Sequence, residues 1–469
     1  MIRLSLAKVA ELSGGRLISE ADAAVEVTGE VETDSRLVQR GALFVAKPGE
    51  VTDGHNFVAA ARAAGAAGAI VERIVADADL PQILVEDSVA SLGLLAKGVL
   101  ALVRQTSGLK VVGITGSNGK TTTKNMLRAI LSTDGPTVAP IESYNNEVGA
   151  PISVLRIDST TKYLVVELGA GGVGSIAYLT EIVKPDIAVE LKVGLAHVGE
   201  FGGVEVTAKI KAELLEHSGL ETIAVLNGDD SAVREMAKSF AGQKVWFGTG
   251  AEANYRADNH SLTIGGTAFH LHWPDGAVNQ VTLQILGEHH VMNALASAAV
   301  AEQLGMSRDT VIGALEAIPL AERWRMQLTN RHDGVTIIND AYNASPDSSR
   351  AALQTLAHLG RSTGRRTVAV IGEMAELGRF SAEEHDKLGR LAVRLNIDLL
   401  IAVGAPAKLV FMGASFEGSF DGEAKYFETI AEAKAELTHI LKSGDIVLVK
   451  SSKSANLRHL GDELLEVTP

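Results

Sequence analysis

Apolar positions along this chain fall into two alternating kinds of segment. Short β-branched runs such as Val111-Val112-Gly113-Ile114 and Thr367-Val368-Ala369-Val370-Ile371 contain no charge. Ala-rich stretches between such runs carry apolar residues at helical spacing, for example Met126, Leu127, Ile130 and Leu131. Uncharged runs fit strands buried on both faces, so the alternation predicts an α/β fold of parallel sheets covered by helices. Two joints interrupt it. Thr106-Ser107-Gly108 follows an Ala/Leu helix, and Ile318-Pro319-Leu320 follows a helical pattern from about Met292 to Glu316. They divide the chain into three expected domains, 1–107, 108–317 and 318–469. The last reads as Rossmann-like and doubly wound, with strands at Val335–Ile338, Thr367–Ile371, Leu399–Val403 and Ile446–Val449. Its first helix has Ser345 placed to cap, Pro346 in the first turn and Gly360 as the expected stop.

Composition narrows the function. With 46% apolar and 21% charged residues, the 469-residue chain has enough apolar content for globular cores. Its net charge of −14 argues against a general nucleic-acid partner, though not against one local phosphate pocket. The absence of cysteine removes disulfides, thiolate metal sites and cysteine nucleophiles. The N-terminal residues lack the apolar core of a signal peptide, and no apolar run in the sequence approaches the ~18 residues that span a bilayer. A cytoplasmic protein without membrane insertion is the expectation.

Chemistry enters at Gly116-Ser117-Asn118-Gly119-Lys120-Thr121-Thr122, which lies between a strand-like run and a helical one. Strand, glycine loop and helix present backbone N–H groups and the positive end of a helix dipole to a triphosphate. Lys120 is placed to reach the β- and γ-phosphates and Thr121 to coordinate Mg²⁺. Ile114 stands where the usual P-loop has its first glycine. The central segment therefore reads as an ATP-binding domain with a mostly parallel sheet.

Further candidates have two readings each. Glu167 ends the run Tyr163–Glu167 and is either a metal-holding acid or a surface residue of an edge strand. His197 follows the apolar stretch Ile187–Val189 and is either a ligand or a loop histidine. On the helix from about Val204 to His217, Lys209 has Glu205 and Glu213 four residues away, which places it on a solvated ion-pair face. Lys211 points into the less polar stripe with Ile210 and Leu214, where it either snorkels or has its amine put to use.

Taken together, these motifs resemble the Mur ligase family over essentially the whole chain. The first segment carries Thr33-Asp34-Ser35-Arg36, Gly41–Ala46 and Asp53-Gly54-His55-Asn56-Phe57. The second carries the phosphate loop, Tyr144-Asn145-Asn146-Glu147, Glu167-Leu168-Gly169, Ala196-His197, Ala208–Lys211 and Gly287–Asn293. The third carries Arg325-Met326-Gln327, Asp340–Ser348 and Gly372–Gly378. The resemblance implies a small N-terminal UDP-sugar-binding domain, held to its ligand by Asp34, Ser35 and Arg36. It implies that Glu167 and His197 help bind magnesium, two Mg²⁺ in all, and that Lys211 matches a position carbamylated in several members. Asn293 and Asp340 would contact ATP and Arg325 its terminal phosphate, with Asn145, Asn146 and Asn343 on the substrate side.

The branch it resembles joins D-alanyl-D-alanine to UDP-N-acetylmuramoyl-tripeptide through an acyl phosphate, as a monomer. Three positions depart from the family pattern: Lys192 for asparagine, Gly203 for serine and Gln327 for glutamate. Rival readings are a sister ligase adding the third stem amino acid, whose Asp-Asn-Pro-Arg motif is absent, a folate polyglutamate ligase, which lacks the Thr33–Arg36 domain, and a regulatory P-loop ATPase without ligase activity.

Overall fold

A computed structural model of the chain describes residues 1–49, 52–140, 143–195, 198–319, 323–418 and 421–466. Its described strands form three large sheets and one two-stranded ribbon. The first sheet has five short strands in the order Arg16–Leu17, Gln82–Leu84, Gly68–Val71, Leu43–Val45 and Val31–Glu32. All its pairs are parallel except the first. The helix Ser88–Ser107 then leads out, closed by Gly108 at φ 65°.

By length and composition that helix could cross a membrane, contrary to the expectation that no segment approaches such a length. It is instead a packing element. Leu92, Leu95, Val99 and Val103 join one apolar cluster with Val111 and Leu164 of the second sheet and with Ile176 and Ile182 of the helix Ser175–Val183.

That second sheet has nine strands, with Lys110–Thr115 between Tyr163–Glu167 and Ile187–Glu190. The register pairs Glu167 with Ile114 and Glu190 with Thr115, so two acids flank the strand that runs into the phosphate loop. Seven strands are mutually parallel, from Thr137–Val138 to Tyr255–Thr263. Two antiparallel strands, Gly266–His272 and Val278–Leu283, extend it. This meander escapes a search for continuous apolar runs because its strands alternate buried and exposed positions.

In the third sheet, Thr336–Asn339, Ile446–Lys450, Thr367–Ile371, Leu399–Val403 and Glu423–Phe427 are parallel, and Gln327–Asn330 is an antiparallel edge. Separate apolar clusters cover its two faces, as a doubly wound plan requires.

Two sequence expectations need correction. Gly360 does not stop its helix, which runs from Pro346 to Thr363 and is capped by Gly364 at φ 67°. Gly360 instead makes room for the sheet, since a Cβ there would come within 2.3 Å of the Thr367 side chain. The pattern from Met292 to Glu316 is two helices, His289–Gln303 and Arg308–Glu316, with the second capped by Ser307.

Candidate active site

Residues 116–122 turn from the strand Lys110–Thr115 into the helix Lys120–Leu131. Gly119 sits at φ 88°, and a Cβ there would lie 2.4 Å from Asn293 Oδ1, so both backbone and space demand glycine. The loop is held from below. Ser117 N–H donates to the Lys192 carbonyl at 2.7 Å, and Ser117 Oγ accepts from Gly194 N–H at 2.8 Å. Lys120 Nζ donates to the Gly116 carbonyl at 2.6 Å.

A cavity of about 290 Å³ opens over this loop. Ser117, Asn118, Gly119, Lys120, Thr121 and Thr122 line it, with Asn145, Glu167 and Asn293 from the same unit. Arg325, Asp340 and Asn343 close it from the third unit, so the sequence candidates for the nucleotide converge. Arg325 Nη2 donates to Thr121 Oγ1 at 3.3 Å, and its guanidinium lies 4.3 Å from the Tyr342 ring. Ser345 Oγ donates to Asn118 Oδ1 at 3.1 Å. Asp340 accepts from Met326 N–H and pairs with Lys450 at 2.8 Å. A larger cavity, about 600 Å³, lies across His289 and contains none of the phosphate-loop residues.

Other candidates lie elsewhere or are already engaged. Asn146 Oδ1 accepts from Gly149 N–H, the first residue of a short helix, at 2.8 Å, whereas Asn145 lines the cavity. Asp34, Ser35 and Arg36 sit in the first unit, away from this cavity. There Arg36 binds Asp34 through two nitrogens and holds its carboxyl down to about 2. His55 is structural, since its ring contacts Asp53 and accepts from Glu72 N–H. His197 lies outside the described residues.

Glu167 is completely buried. Thr121 Oγ1 donates to its Oε2 at 3.3 Å, while its Oε1 lies 3.5 Å from Lys124 Nζ and accepts no hydrogen bond. On the opposite face of the sheet Lys211 is 3% exposed, and Lys209 is exposed as its neighbours imply. Glu213 does not join Lys209; it turns inward to accept from Gly174 and Ala177 N–H.

Lys211 lies within the electrostatic reach of Glu190, without a direct ion pair, and the sequence reading missed that glutamate. Glu190 is fully buried with neither oxygen hydrogen-bonded. Burial pushes its carboxyl up, opposed by the Lys211 charge. Burial also pushes the Lys211 ammonium down, and nearby Lys120 adds to that shift. A glutamate closing the apolar run Ile187–Val189 was the available signal. Lys124 and Lys450, each 1–3% exposed, were missed likewise. Of the departures, Lys192 pairs with Asp347 at 3.4 Å, and Gln327 accepts from Trp324 N–H.

Among the described residues, no three His, Asp or Glu side chains form a ready metal cage. One buried carboxylate with an oxygen that accepts no hydrogen bond, beside a hydroxyl, is nonetheless a fit for Mg²⁺, which takes few protein ligands and completes its shell with phosphate and water.

Three family descriptions match the chain: Mur ligase family, catalytic domain over residues 28–99; Mur ligase middle domain over 114–301; and Mur ligase, glutamate ligase domain over 324–453. The chain is 44% identical to a UDP-N-acetylmuramoyl-tripeptide–D-alanyl-D-alanine ligase of Mycobacterium tuberculosis, covering 99% of this chain and 98% of that one. It superposes on a crystal structure of MurF from Acinetobacter baumannii with a TM-score of 0.89 at 34% identity, covering 99% of each chain. It likewise superposes on the MurF ligase of Thermotoga maritima in complex with ADP, with a TM-score of 0.81 at 30% identity, covering 94% of this chain and 97% of that one. The matched segments take in the phosphate loop, Glu167 and Asn293 on one side of the cavity, Arg325, Asp340 and Lys450 on the other, and Lys211 behind the sheet, and the chain belongs to the Mur ligase family.

Proposed function

We propose that this Mur ligase uses ATP to join D-alanyl-D-alanine to UDP-N-acetylmuramoyl-tripeptide in peptidoglycan precursor synthesis. The observation that carries the reading is the phosphate cavity closed from two units, with Arg325 of one at Thr121 of the other, in a chain similar to ligases of that name along nearly its full length.

A peptide carboxylate is a poor electrophile for an amine. Its oxygen attacks the γ-phosphorus, ADP leaves, and an acyl phosphate results. The dipeptide amine then attacks the acyl carbon, loses a proton and expels phosphate, leaving an amide. The chain's work is positioning and charge, which needs no protein nucleophile. Backbone N–H groups of residues 116–122 cradle the phosphates, while Lys120 and Arg325 offset charge on the transferring phosphoryl group. Asn293, Asp340 and Lys450 contact the nucleotide. Thr121 and Glu167 would hold Mg²⁺, which when bound would supply Lewis-acid neutralisation of phosphate charge. Asp34, Ser35 and Arg36 take the UDP-sugar, and Asn145 and Asn343 face the reacting groups. His197, outside the described residues, and a carbamylated Lys211 would supply ligands for a second Mg²⁺. We place the enzyme in the cytoplasm as a monomer, with no nucleic-acid partner and no membrane insertion.

Sustained ADP release tests this reading. It is expected only when UDP-tripeptide and D-alanyl-D-alanine are both present, with product mass equal to the pentapeptide. Equal release with neither substrate indicates a free ATPase and overturns it.

A further inference from the structure

Arg325 reaches Thr121 from an unusual stretch of backbone. Trp324 before it has φ 62° and Met326 after it φ 48°. A bulky side chain in the left-handed region is an outlier that persists only where its surroundings hold it. This segment therefore needs a hold on each side of the arginine.

The third unit supplies both. Met326 N–H donates to Asp340 Oδ1 at 3.0 Å, and the Met326 side chain is buried. Trp324 has all three of its polar groups engaged. Its N–H donates to Gln327 Oε1 at 3.0 Å, and its carbonyl accepts from Tyr342 N–H at 3.1 Å. Its indole Nε1–H donates to Asp462, on the helix Leu457–Glu463, 2.9 Å from one carboxylate oxygen and 3.1 Å from the other. That carboxylate also receives Arg323 Nη2 at 2.8 Å and Asn339 Nδ2 at 3.3 Å. His459, from the same helix, packs edge-on against the indole. Neither Trp324 nor Asp462 lines the phosphate cavity, so neither is placed to touch the nucleotide.

We propose that Trp324 and Asp462 are positioning residues for Arg325. The indole–carboxylate hydrogen bond clamps the left-handed backbone in the conformation from which the guanidinium meets Thr121 and the phosphoryl group in transfer. The inference rests on the reading of Arg325 as a phosphoryl contact.

Steady-state kinetics of the full-length protein with ATP, UDP-tripeptide and D-alanyl-D-alanine tests it. Trp324→Phe, which keeps a ring but loses the N–H, and Asp462→Ala are each expected to lower kcat about tenfold, with KM for D-alanyl-D-alanine within about twofold of wild type. Asp462→Asn keeps an oxygen acceptor for the indole and should retain most of kcat. Arg325→Ala alone should cost at least about 10²-fold. In that background neither substitution should remove more than about a further twofold, because residues that act through one group are not additive. Full kcat in a folded Trp324→Phe, or a second tenfold loss on top of Arg325→Ala, overturns the proposal. An Asp462→Asn as slow as Asp462→Ala also overturns it, because the ion pair with Arg323 is then the cause. Should Asp462→Ala fail to fold, Trp324→Phe alone decides. Wild-type kcat in Arg325→Ala fails the phosphoryl reading itself, a result distinct from failure of the clamp.

Discussion

Two lysines on one helix, Lys209 and Lys211, differ only in the face they occupy. Burial and nearby Lys120 favour the neutral amine of Lys211, against the opposing charge of Glu190; Lys209 stands in water. A neutral amine can add CO₂ and become a carbamate anion. Lys211→Ala is expected to lose at least about 10²-fold in rate, as when other charge-stabilising groups are removed, and to recover in part with acetate or formate in the assay. Lys209→Ala should keep most activity. Loss without rescue, from a protein whose lysine is unmodified by intact mass, refutes the carbamate. At this scale the sequence revealed much of the site, since helical spacing alone separated the two lysines. It hid Glu190, Lys124 and Lys450 because each completes an element by pointing inward across a sheet or between helices. Spacing along the chain does not register such contacts.

The loop Gly372–Gly378 shows how one element fixes another. His385, on the helix Ser381–Arg394, accepts from Met374 N–H at 2.9 Å through Nε2 and donates from Nδ1 to the Ser381 carbonyl at 2.7 Å. Burial lowers the pKa of this ring below the usual histidine value. The unfolded chain therefore takes up a proton before the folded one does. Stability contributed above about pH 6.5 is lost as pH falls through the lower folded value. Thermal melts are expected to drop between pH 7.5 and 5.5, by less in His385→Gln than in wild type. An equal drop in both removes His385 as the cause. Elements themselves were legible where runs were uncharged, as at Thr367–Ile371 and Leu399–Val403. Glycine was the weak point. Gly360 looked like a stop but serves close packing, a distinction that only the neighbouring strand reveals.

Across the whole molecule, the second and third units meet around the phosphate loop through Arg325, Ser345 and Asp347. Asp347 receives both Lys192 and the Leu195 N–H, yet ATP must pass between these units to reach the cavity. The units therefore part and close again. Small-angle scattering should show compaction when UDP-tripeptide and a non-hydrolysable ATP analogue are added. Asp347→Ala should enlarge the unliganded radius of gyration and raise KM for ATP several-fold. An unchanged radius in both experiments contradicts closure.

Where the units touch near Gly199, they do so backbone to backbone. Gly199 N–H donates to the Glu376 carbonyl at 3.1 Å, and a Cβ on Gly199 would come within 2.3 Å of Gly378 N. Main chain against main chain is the shortest approach two protein segments can make. Closure here ends against a hard stop rather than in a soft minimum. The reach between groups borne on the two units is thereby gauged like the jaws of a calliper, and a single added methyl would leave those jaws ajar.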